Sequence, residues 1–370
     1  MELTTYSDLD KKWMALAIDL AWQGCYTTSP NPNVGCVIVS SDGNLVGQGA
    51  HLKAGEAHAE VHALRDAGKQ AKGATAFVTL EPCSHTGRTP PCANALVNAG
   101  VKRVVVANVD PNPLVAGRGI KKLNEHGIET VTGVLADKAA LLNRGFFKRM
   151  KQGKPFVSLK LAASMDGRIA LSNGQSKWIT GPEARRDVQR FRAKSCAILT
   201  GSGTVRADDP SLLIRPEQAQ IDDYPNLPIR QPARYVIDST GSLPDTFQIF
   251  NDGHKTIVFT TKEVTTPGSI EYCRVKQVGN HVDLDAMLME LGKREVNQLW
   301  VESGATLAGQ LLSQQLVDEL IIYLAPKLLG DQGLPMLKLP QYSHLAECPE
   351  LWLKDLTLVG QDVRLTYHLK

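Results

Sequence analysis

The sequence predicts an α/β protein made of two domains. The chain has 370 residues, about twice the usual size of one domain. Segments with helical periodicity alternate with apolar segments of strand length along most of it. A basic stretch that ends in Gly153-Lys154-Pro155 interrupts this alternation and is typical of a linker. We therefore expect one domain over residues 1–149 and a second over residues 150–370.

Composition and charge exclude several classes of protein. Hydrophobic residues make up 43% of the chain and charged residues 21%, as in ordinary globular proteins. A net charge of +3 is too small to predict a nucleic-acid partner. The polar start does not resemble a signal peptide, and no apolar run reaches the ~18 residues that a membrane span needs. We therefore expect no membrane partner. The seven cysteines are scattered and odd in number, which favours a location in the reducing cytoplasm.

The first domain is predicted as strands interleaved with helices. Its first helix is amphipathic, with Trp13, Leu16 and Leu20 on one face, and Gly100 is a helix terminator of the expected type. The predicted elements in order are helix 10–23, strands 34–39 and 45–50, helix 56–67, strand 74–80, helix 91–98, strand 102–107, helix 119–126, strand 128–131 and helix 137–148.

The second domain repeats this alternation and adds two glycine-rich turns. The predicted elements are strand 156–161, helix 182–194, strands 196–200, 233–237 and 256–260, helix 285–292, strand 298–302, a helix through 315, and strands 319–324, 351–359 and 363–369. Gly201-Ser202-Gly203-Thr204 and Ser303-Gly304-Ala305-Thr306 each follow a strand and open a helix, so their N–H groups can face a phosphate. Many such turns bind nothing, and neither has the dinucleotide-binding GxGxxG pattern. Two on one sheet favour a nucleotide cofactor.

One His and two Cys in the first domain form a zinc pattern. His58 lies two residues before Glu60, and Cys83 and Cys92 follow at the end of a strand and the start of a helix. Three ligands leave a fourth position for water, whose pKa zinc lowers towards ~7. Glu60 is then the proton carrier, and the set is typical of zinc nucleobase deaminases. A closed structural zinc site is the alternative, which the small number of strong ligands disfavours.

His62 is four residues after His58 and is predicted on the same helix face. Zinc proteases place such a pair with Glu directly after the first His, and here Glu60 is one position further on. We therefore expect a structural role for His62.

Polar residues at predicted strand ends are further candidates. Asn31 and His51 flank the first two strands, and Asp110 and Asn112 follow the strand over residues 102–107. Residues after the carboxyl end of a strand commonly line a site in α/β sheets. Turn or surface roles are the alternative.

With these motifs in place, the chain resembles the bifunctional deaminase–reductases of riboflavin biosynthesis. The matching stretches cover nearly the whole chain in the family's order. The eight residues between Cys83 and Cys92 are characteristic, because other zinc deaminases have two residues between their cysteines. The resemblance implies a cytidine-deaminase-like α/β/α sandwich followed by a dihydrofolate-reductase-like α/β domain.

The resemblance also implies two sequential reactions. The first domain would use Zn²⁺ to deaminate 2,5-diamino-6-(5-phosphoribosylamino)pyrimidin-4(3H)-one, and the second would use NADPH to reduce the ribosyl group of the resulting uracil to ribityl. The implied partners are these small-molecule substrates, in a homo-oligomer. The implied deaminase residues are His58, Cys83 and Cys92 for zinc, Glu60 for proton transfer, and Asn31, His51, Arg88, Asp110 and Asn112 for substrate.

Reductase positions follow from the same resemblance. The implied NADPH contacts are Ala162, Trp178, Thr204, Asp208, Ser239, Gly304, Ala305, Thr306, Leu307, Ala308, Gly309 and Gln310. The implied substrate contacts are Ser176, Arg192, Leu212, Arg215 and Glu302. Lys160 and Asp208 are candidates for proton transfer because of their charge and placement. The alternatives are another nucleotide or tRNA deaminase with a nucleotide-sensing second domain, or a protein with one inactive domain.

Overall fold

The computed structural model describes residues 6–84, 91–113, 115–222, 224, 228–264 and 270–369. The chain divides into two compact units, Met1–Gly153 with Asp223–Pro228, and Lys154–Asp222 with Ile229–Lys370. The division after Gly153 falls within the basic segment noted in the sequence. Among the described helices, none combines the length and the apolarity that crossing a bilayer requires.

The first unit has eleven regular elements in its described residues. They are α1 (Asp8–Ala21), β1 (Gly35–Val39), β2 (Leu45–Ala50), α2 (Ala59–Ala67), β3 (Thr75–Leu80), α3 (Cys92–Ala99), β4 (Arg103–Asn108), α4 (Arg118–Glu125), β5 (Glu129–Thr132), α5 (Ala136–Leu142) and α6 (Arg144–Gln152). The five strands form one sheet in the order β2-β1-β3-β4-β5. β1 runs antiparallel to β2 and β3, whereas β3, β4 and β5 are parallel.

Helices cover both faces of this sheet. In β1, Cys36 and Ile38 pack with α2 and α3, and the alternate residues Val37 and Val39 pack with α1 and α5. The predicted α/β/α sandwich is therefore confirmed. Gly49 on β2 lets α2 approach closely because it has no side chain. A Cβ at this position would lie 2.6 Å from the Ala59 carbonyl oxygen. This contact brings the N-terminus of α2 against the end of β2.

Two predicted helices differ from the structure. The helix predicted over residues 56–67 begins only at Ala59, and His58 is its N-cap with extended backbone (φ −75°, ψ 164°). The helix predicted over residues 137–148 is two helices, because Asn143 leaves helical geometry (φ −125°, ψ 22°). The Asn143 side chain bonds to the backbone of Asn33 instead of facing solvent.

The second unit is larger. Its elements are β6 (Phe156–Ser164), β7 (Arg168–Ala170), α7 (Pro182–Lys194), β8 (Ala197–Gly201), α8 (Ser202–Asp208), α9 (Pro216–Ala219), β9 (Ala233–Ile237), α10 (Gln248–Asn251), β10 (Thr256–Thr260), β11 (Glu271–Arg274), β12 (Gln277–Val278), β13 (His281–Val282), α11 (Leu284–Lys293), β14 (Gln298–Glu302), α12 (Ala305–Ser313), β15 (Glu319–Ala325), β16 (Leu334–Pro335), β17 (Leu351–Val359) and β18 (Asp362–Leu369).

Nine of these strands form one sheet in the order β11-β10-β9-β8-β14-β6-β15-β18-β17. In the order across the sheet, the seven strands from β11 to β15 are parallel to their neighbours. The last two strands, β18 and β17, pair antiparallel. Separate apolar clusters lie on the two faces, because Leu199 belongs to one cluster and the adjacent Ile198 to the other. The predicted α/β fold of the second domain is confirmed, and the parallel strands place the ends of β6, β14, β8 and β9 at one edge.

Candidate functional sites

The three predicted zinc ligands converge in the first unit. His58 precedes the first turn of α2, Cys83 follows β3, and Cys92 is the first residue of α3. The His58 Nδ1 atom lies 3.2 Å from Cys92 Sγ and 3.7 Å from Cys83 Sγ. All three donor atoms lie within 4.8 Å of one another. Among the described residues they are the only cluster of this kind, and His62 is not part of it.

This donor set fits a zinc ion. Around a tetrahedral zinc, Zn–S bonds of about 2.3 Å and Zn–N bonds of about 2.0 Å separate S and N by about 3.5 Å. The measured Cys83 distance to the His58 ring, 3.7 Å, is close to that value. The Cys92 N–H also donates to Cys83 Sγ at 3.3 Å, and bonding from Cys92 and His58 lowers the pKa of the Cys83 thiol. A low thiol pKa favours the thiolate that binds zinc.

Glu60 lies in the first turn of α2 beside this cluster. Its side chain is buried, and among the described residues the Oε2 atom has no hydrogen-bond partner. Burial, reinforced by the nearby Cys83 charge, raises the pKa of Glu60 to about 7. A buried carboxylate with an unused oxygen is costly unless a bound molecule completes its bonding.

Asn31 and His51 lie together next to the predicted zinc ligands. The His51 ring meets the His58 ring edge-on, with centroids 5.2 Å apart. His51 Nδ1 lies 3.1 Å from the Ala57 carbonyl oxygen, so that nitrogen carries the proton and Nε2 accepts from Asn31 Nδ2 at 3.1 Å. Burial lowers the pKa of His51, which favours this neutral form.

Two amides that sequence reasoning missed fix the turn that carries Asn31. The Asn33 N–H donates to Asn143 Oδ1 at 2.7 Å, and Asn143 Nδ2 donates back to the Asn33 carbonyl at 2.8 Å. Asn33 Nδ2 also donates to the Leu142 carbonyl at 3.0 Å. The two residues are 110 positions apart, so no local pattern could have paired them.

The other predicted deaminase positions are only partly described. Asp110 is buried after β4, and its Oδ1 accepts from the Asn112 N–H at 2.8 Å. This turn presents both residues from one loop. Arg88 lies outside the described residues.

A cavity of about 510 Å³ opens in the second unit, where β8, β9 and β14 end. It brings together seven of the predicted cofactor residues. They are Thr204, Ser239, Gly304, Ala305, Thr306, Leu307 and Gln310. Thr240, Asn280 and His281 also line it and were not predicted, since the sequence offers no local motif for them.

The start of α12 suits the phosphates of NADPH. Gly304 is the N-cap of α12 and offers no side chain to its first N–H groups. Ala305 and Thr306 line the cavity, and the first N–H groups of a helix are the ones from which a bound anion can accept. The remaining helix residues Ala308 and Gly309 are turned away. Ala308 is in the apolar core, and a Cβ at Gly309 would lie 1.9 Å from the Lys338 carbonyl oxygen.

The other three predicted cofactor residues are not among the cavity-lining residues. Ala162 is half-buried on β6, and Asp208 is the last residue of α8. Trp178 is 60% exposed, with the Arg185 guanidinium 4.6 Å from its ring centroid.

A charged cluster lies at the end of β14 and beside the middle of β6, where Glu302 is paired with Lys160. Arg192 Nε and Nη2 donate to the two oxygens of Glu302 at 2.6 and 3.0 Å, and the Trp300 indole donates to the same carboxylate at 2.9 Å. Burial opposes the charge on Glu302, but Arg192 and Lys160 outweigh it and lower the pKa of Glu302 to about 2. Burial also lowers the pKa of Lys160, which interacts with Glu302, Arg192 and Asp208.

Arg192 also connects this cluster to the loop after α8. Its Nη1 donates to the Leu213 carbonyl at 3.0 Å, beside Leu212, whose side chain is buried in the core. Arg215 is exposed, and its backbone N–H donates to Gln189. Ser176 is half-buried before α7.

Two protein-family models match the chain. The cytidine and deoxycytidylate deaminase zinc-binding region matches residues 7–108. The RibD C-terminal domain matches residues 155–365, which is more than half of the chain.

Whole-length relatives agree with these matches. The riboflavin biosynthesis protein RibD of Escherichia coli is 51% identical over 96% of this chain and 98% of its own. The protein of the same name from Haemophilus influenzae is 50% identical over 99% of both. The solved structure of Acinetobacter baumannii RibD, form 1, is 45% identical with a TM-score of 0.89, covering 98% of this chain and 99% of its own.

Proposed function

The chain belongs to the RibD family of riboflavin-biosynthesis enzymes, and we propose that the two clusters described above carry its two reactions. It is a bifunctional enzyme with Zn²⁺ and NADPH as cofactors. One activity is the hydrolytic deamination of 2,5-diamino-6-(5-phosphoribosylamino)pyrimidin-4(3H)-one, and the other reduces the ribosyl group of 5-amino-6-(5-phosphoribosylamino)uracil to ribityl. The observation that carries the assignment of the first site is the convergence of His58, Cys83 and Cys92 beside Glu60.

For deamination, we assign zinc binding to His58, Cys83 and Cys92. When bound, the metal supplies a strongly acidified water. Glu60 would take a proton at its unpartnered Oε2 atom and deliver it to the departing amine. A Glu at this position can serve both steps because it is buried against the ligand cluster and held on a rigid helix.

Substrate recognition in this unit is assigned to Asn31, His51, Asp110, Asn112 and Arg88. Support comes from the neutral His51 ring, whose two nitrogens are bonded to Asn31 and to Ala57. The ring therefore has a fixed tautomer and acts by orienting Asn31 towards the pyrimidine. The role of Arg88 as a phosphate contact follows from its charge alone.

The order of strands supports a proposed orientation for NADPH in the second unit. β9, β8, β14 and β6 are neighbours in that order, and all four are parallel. We place the pyrophosphate at the start of α12, after β14, and the nicotinamide towards Lys160 on β6. The adenosine would then lie over the ends of β8 and β9, where Ser239 and Thr240 line the cavity.

The reductase substrate is assigned to the cluster around Arg192 and Glu302, with Ser176, Leu212 and Arg215 nearby. Arg192 would hold the phosphoribosyl end by charge, while Glu302 fixes the Arg192 fork. We keep Lys160 and Asp208 as the candidate proton carriers, because Lys160 interacts with Asp208 and with Glu302. The remaining cofactor contacts proposed are Ala162, Trp178 and Asp208, whereas Ala308 and Gly309 face away from the cavity and are assigned to the packing of α12.

The deaminase is proposed to occupy residues 1–149 and the reductase residues 150–370, close to the division of the compact units after Gly153.

We also propose a homo-oligomer. β17 is an edge strand that exposes five large apolar side chains. They are Leu351, Trp352, Leu353, Leu356 and Leu358. A second copy of the chain would cover this edge. Trp352→Ser should therefore lower the molar mass measured by light scattering to that of a monomer. An unchanged molar mass would contradict the proposal.

The cytoplasm is the proposed location. Support comes from the described cysteines, which form no disulfide, and from the use of Cys83 and Cys92 as a zinc pair that requires reduced thiols. Detection of the protein in an oxidising compartment would contradict this.

One coupled assay tests the two-reaction assignment. The diaminopyrimidine substrate is supplied first with NADPH and then with NADH, while ammonia and the reduced-nicotinamide absorbance are followed together. Ammonia should appear with either nucleotide, and absorbance should fall efficiently only with NADPH. Ammonia release from cytidine or tRNA at a comparable rate would contradict the proposed substrate.

A further inference from the structure

Glu81 is a buried carboxylate that the reaction scheme above does not use. It follows β3 and stands directly before Pro82-Cys83, and it is 3% exposed. Its Oε2 atom accepts from the backbone N–H of Asp110 at 3.2 Å and of Gly117 at 2.9 Å. Its Oε1 atom accepts from Gly119 at 2.8 Å and from Ile120 at 3.3 Å.

These four donors belong to one loop and the helix that follows it. Asp110 opens the loop with the predicted substrate residues. Gly117 is the N-cap of α4 and has no side chain with which to cap the helix. Gly119 and Ile120 are in the first turn of α4. Glu81 therefore closes the loop at both ends and caps α4 from a distant strand, and its two oxygens are fully used.

Backbone contacts make the same connection rigid. The Glu81 N–H donates to the Asn108 carbonyl at 2.9 Å, at the end of β4. A Cβ at Gly119 would lie only 2.0 Å from the Pro82 carbonyl oxygen, so α4 starts directly against the backbone that leads to Cys83. Asp110 and Gly117, at the two ends of the loop, are therefore held against the backbone that leads to Cys83.

We propose that Glu81 is a positioning residue for deamination. It holds the Asp110–Asn112 turn in a fixed place relative to Cys83, so that a pyrimidine bound by this turn presents its amine to Glu60. The inference rests on the proposed substrate role of Asp110 and Asn112. Because carboxylate bonds to N–H groups are charge-assisted, a neutral amide cannot replace them. In Gln, one end of the side chain would turn an NH₂ group towards two N–H donors.

The test compares Glu81→Gln with Glu125→Gln, a matched change on the exposed side of α4. Four quantities are measured on the full chain: backbone amide exchange over residues 108–120, bound zinc, deaminase kcat and KM, and reductase turnover of preformed uracil product. For Glu81→Gln we expect faster exchange at Asp110, Gly117 and Gly119, and a KM raised about tenfold. Zinc content and reductase turnover should match those of Glu125→Gln.

Unchanged exchange, or faster exchange with an unchanged KM, would overturn the inference. Loss of zinc would also overturn it, since Glu81 would then support the metal site. An Asn112→Ala variant separates this result from the proposed function. If Asn112→Ala raises KM and Glu81→Gln does not, the positioning role alone fails; if neither does, the substrate role of the turn fails. Should Glu81→Gln not fold, Glu81→Asp, which keeps the charge on a shorter stem, is judged by the same measurements.

Discussion

Replacing Glu302 by Gln should destabilise the second unit far more than the same change at the surface. The substitution leaves Arg192 and Lys160 facing a neutral amide in a largely buried site, where the Glu302 side chain is 15% exposed and that of Arg192 is 12% exposed. Removal of one partner from a buried ion pair costs about 3–5 kcal/mol, because the remaining charge loses its compensation.

The pKa of Glu302 gives a second measure of this cost. A fall from the ordinary value of 4.5 to about 2 is worth about 3 kcal/mol, at roughly 1.4 kcal/mol per pKa unit. Since the folded-state pKa is lowered, this stabilisation is fully present above pH 4.5 and is lost as the pH falls towards 2. Glu302→Gln should remove this pH-dependent part of the free energy of unfolding.

The assay is urea unfolding at neutral pH, followed by tryptophan fluorescence and circular dichroism. Trp300 stacks on Phe191 with ring centroids 4.9 Å apart and bonds to Glu302, so its emission reports on this region. The matched control is Glu290→Gln, which removes an i,i+4 pair with Arg294 on α11 and should cost no more than about 0.5 kcal/mol. Deaminase activity should survive in both variants. A loss for Glu302→Gln no larger than that of the control would refute the reasoning.

Three further outcomes are expected. Glu60→Gln should keep its zinc and lose deamination by about 10²–10⁴-fold, and ammonia release near the wild-type rate would contradict the role of Glu60. Chelation of zinc should abolish ammonia release while NADPH oxidation with supplied uracil product continues; loss of both would show that the metal also supports the second unit. Arg206 donates to Ser242 at 2.9 Å, beside Thr240 at the expected adenosine end of the cavity. NADPH carries a 2′-phosphate on its adenosine that NADH lacks, so Arg206→Gln should raise KM for NADPH more than for NADH. Equal effects would show that Arg206 does not contact this phosphate.

Local patterns predicted most elements because each one depends on neighbouring residues. Strands β9, β10, β14 and β17 have the predicted bounds, since compact apolar or alternating runs are flanked by polar turns. The helix break at Asn143 was not predictable in this way. The break is stabilised by hydrogen bonds between Asn143 and Asn33, and these two residues are adjacent only in the folded protein.

The same distinction between local patterns and contacts of distant residues applies to the candidate sites. The zinc ligands and Glu60 are recognisable in the sequence because residue type and spacing carry the chemistry of metal binding. The hydrogen bonds of Glu81 are not recognisable in the sequence. No local pattern connects an acidic residue before Pro82 with four backbone N–H donors elsewhere in the chain. Thr240, Asn280 and His281 were likewise missed, because they reach the cofactor cavity from two segments far apart in the chain, one after β9 and the other at the turn between β12 and β13.

The sequence by itself therefore determined the two α/β domains, the zinc pattern and the family resemblance. All of these rest on residue identity and on spacing along the chain. Only the tertiary structure decided which tautomer of His51 is held, how Glu302 is paired and what Glu81 joins. These depend on distances between residues far apart in the chain, and burial then gives those few contacts their energetic weight.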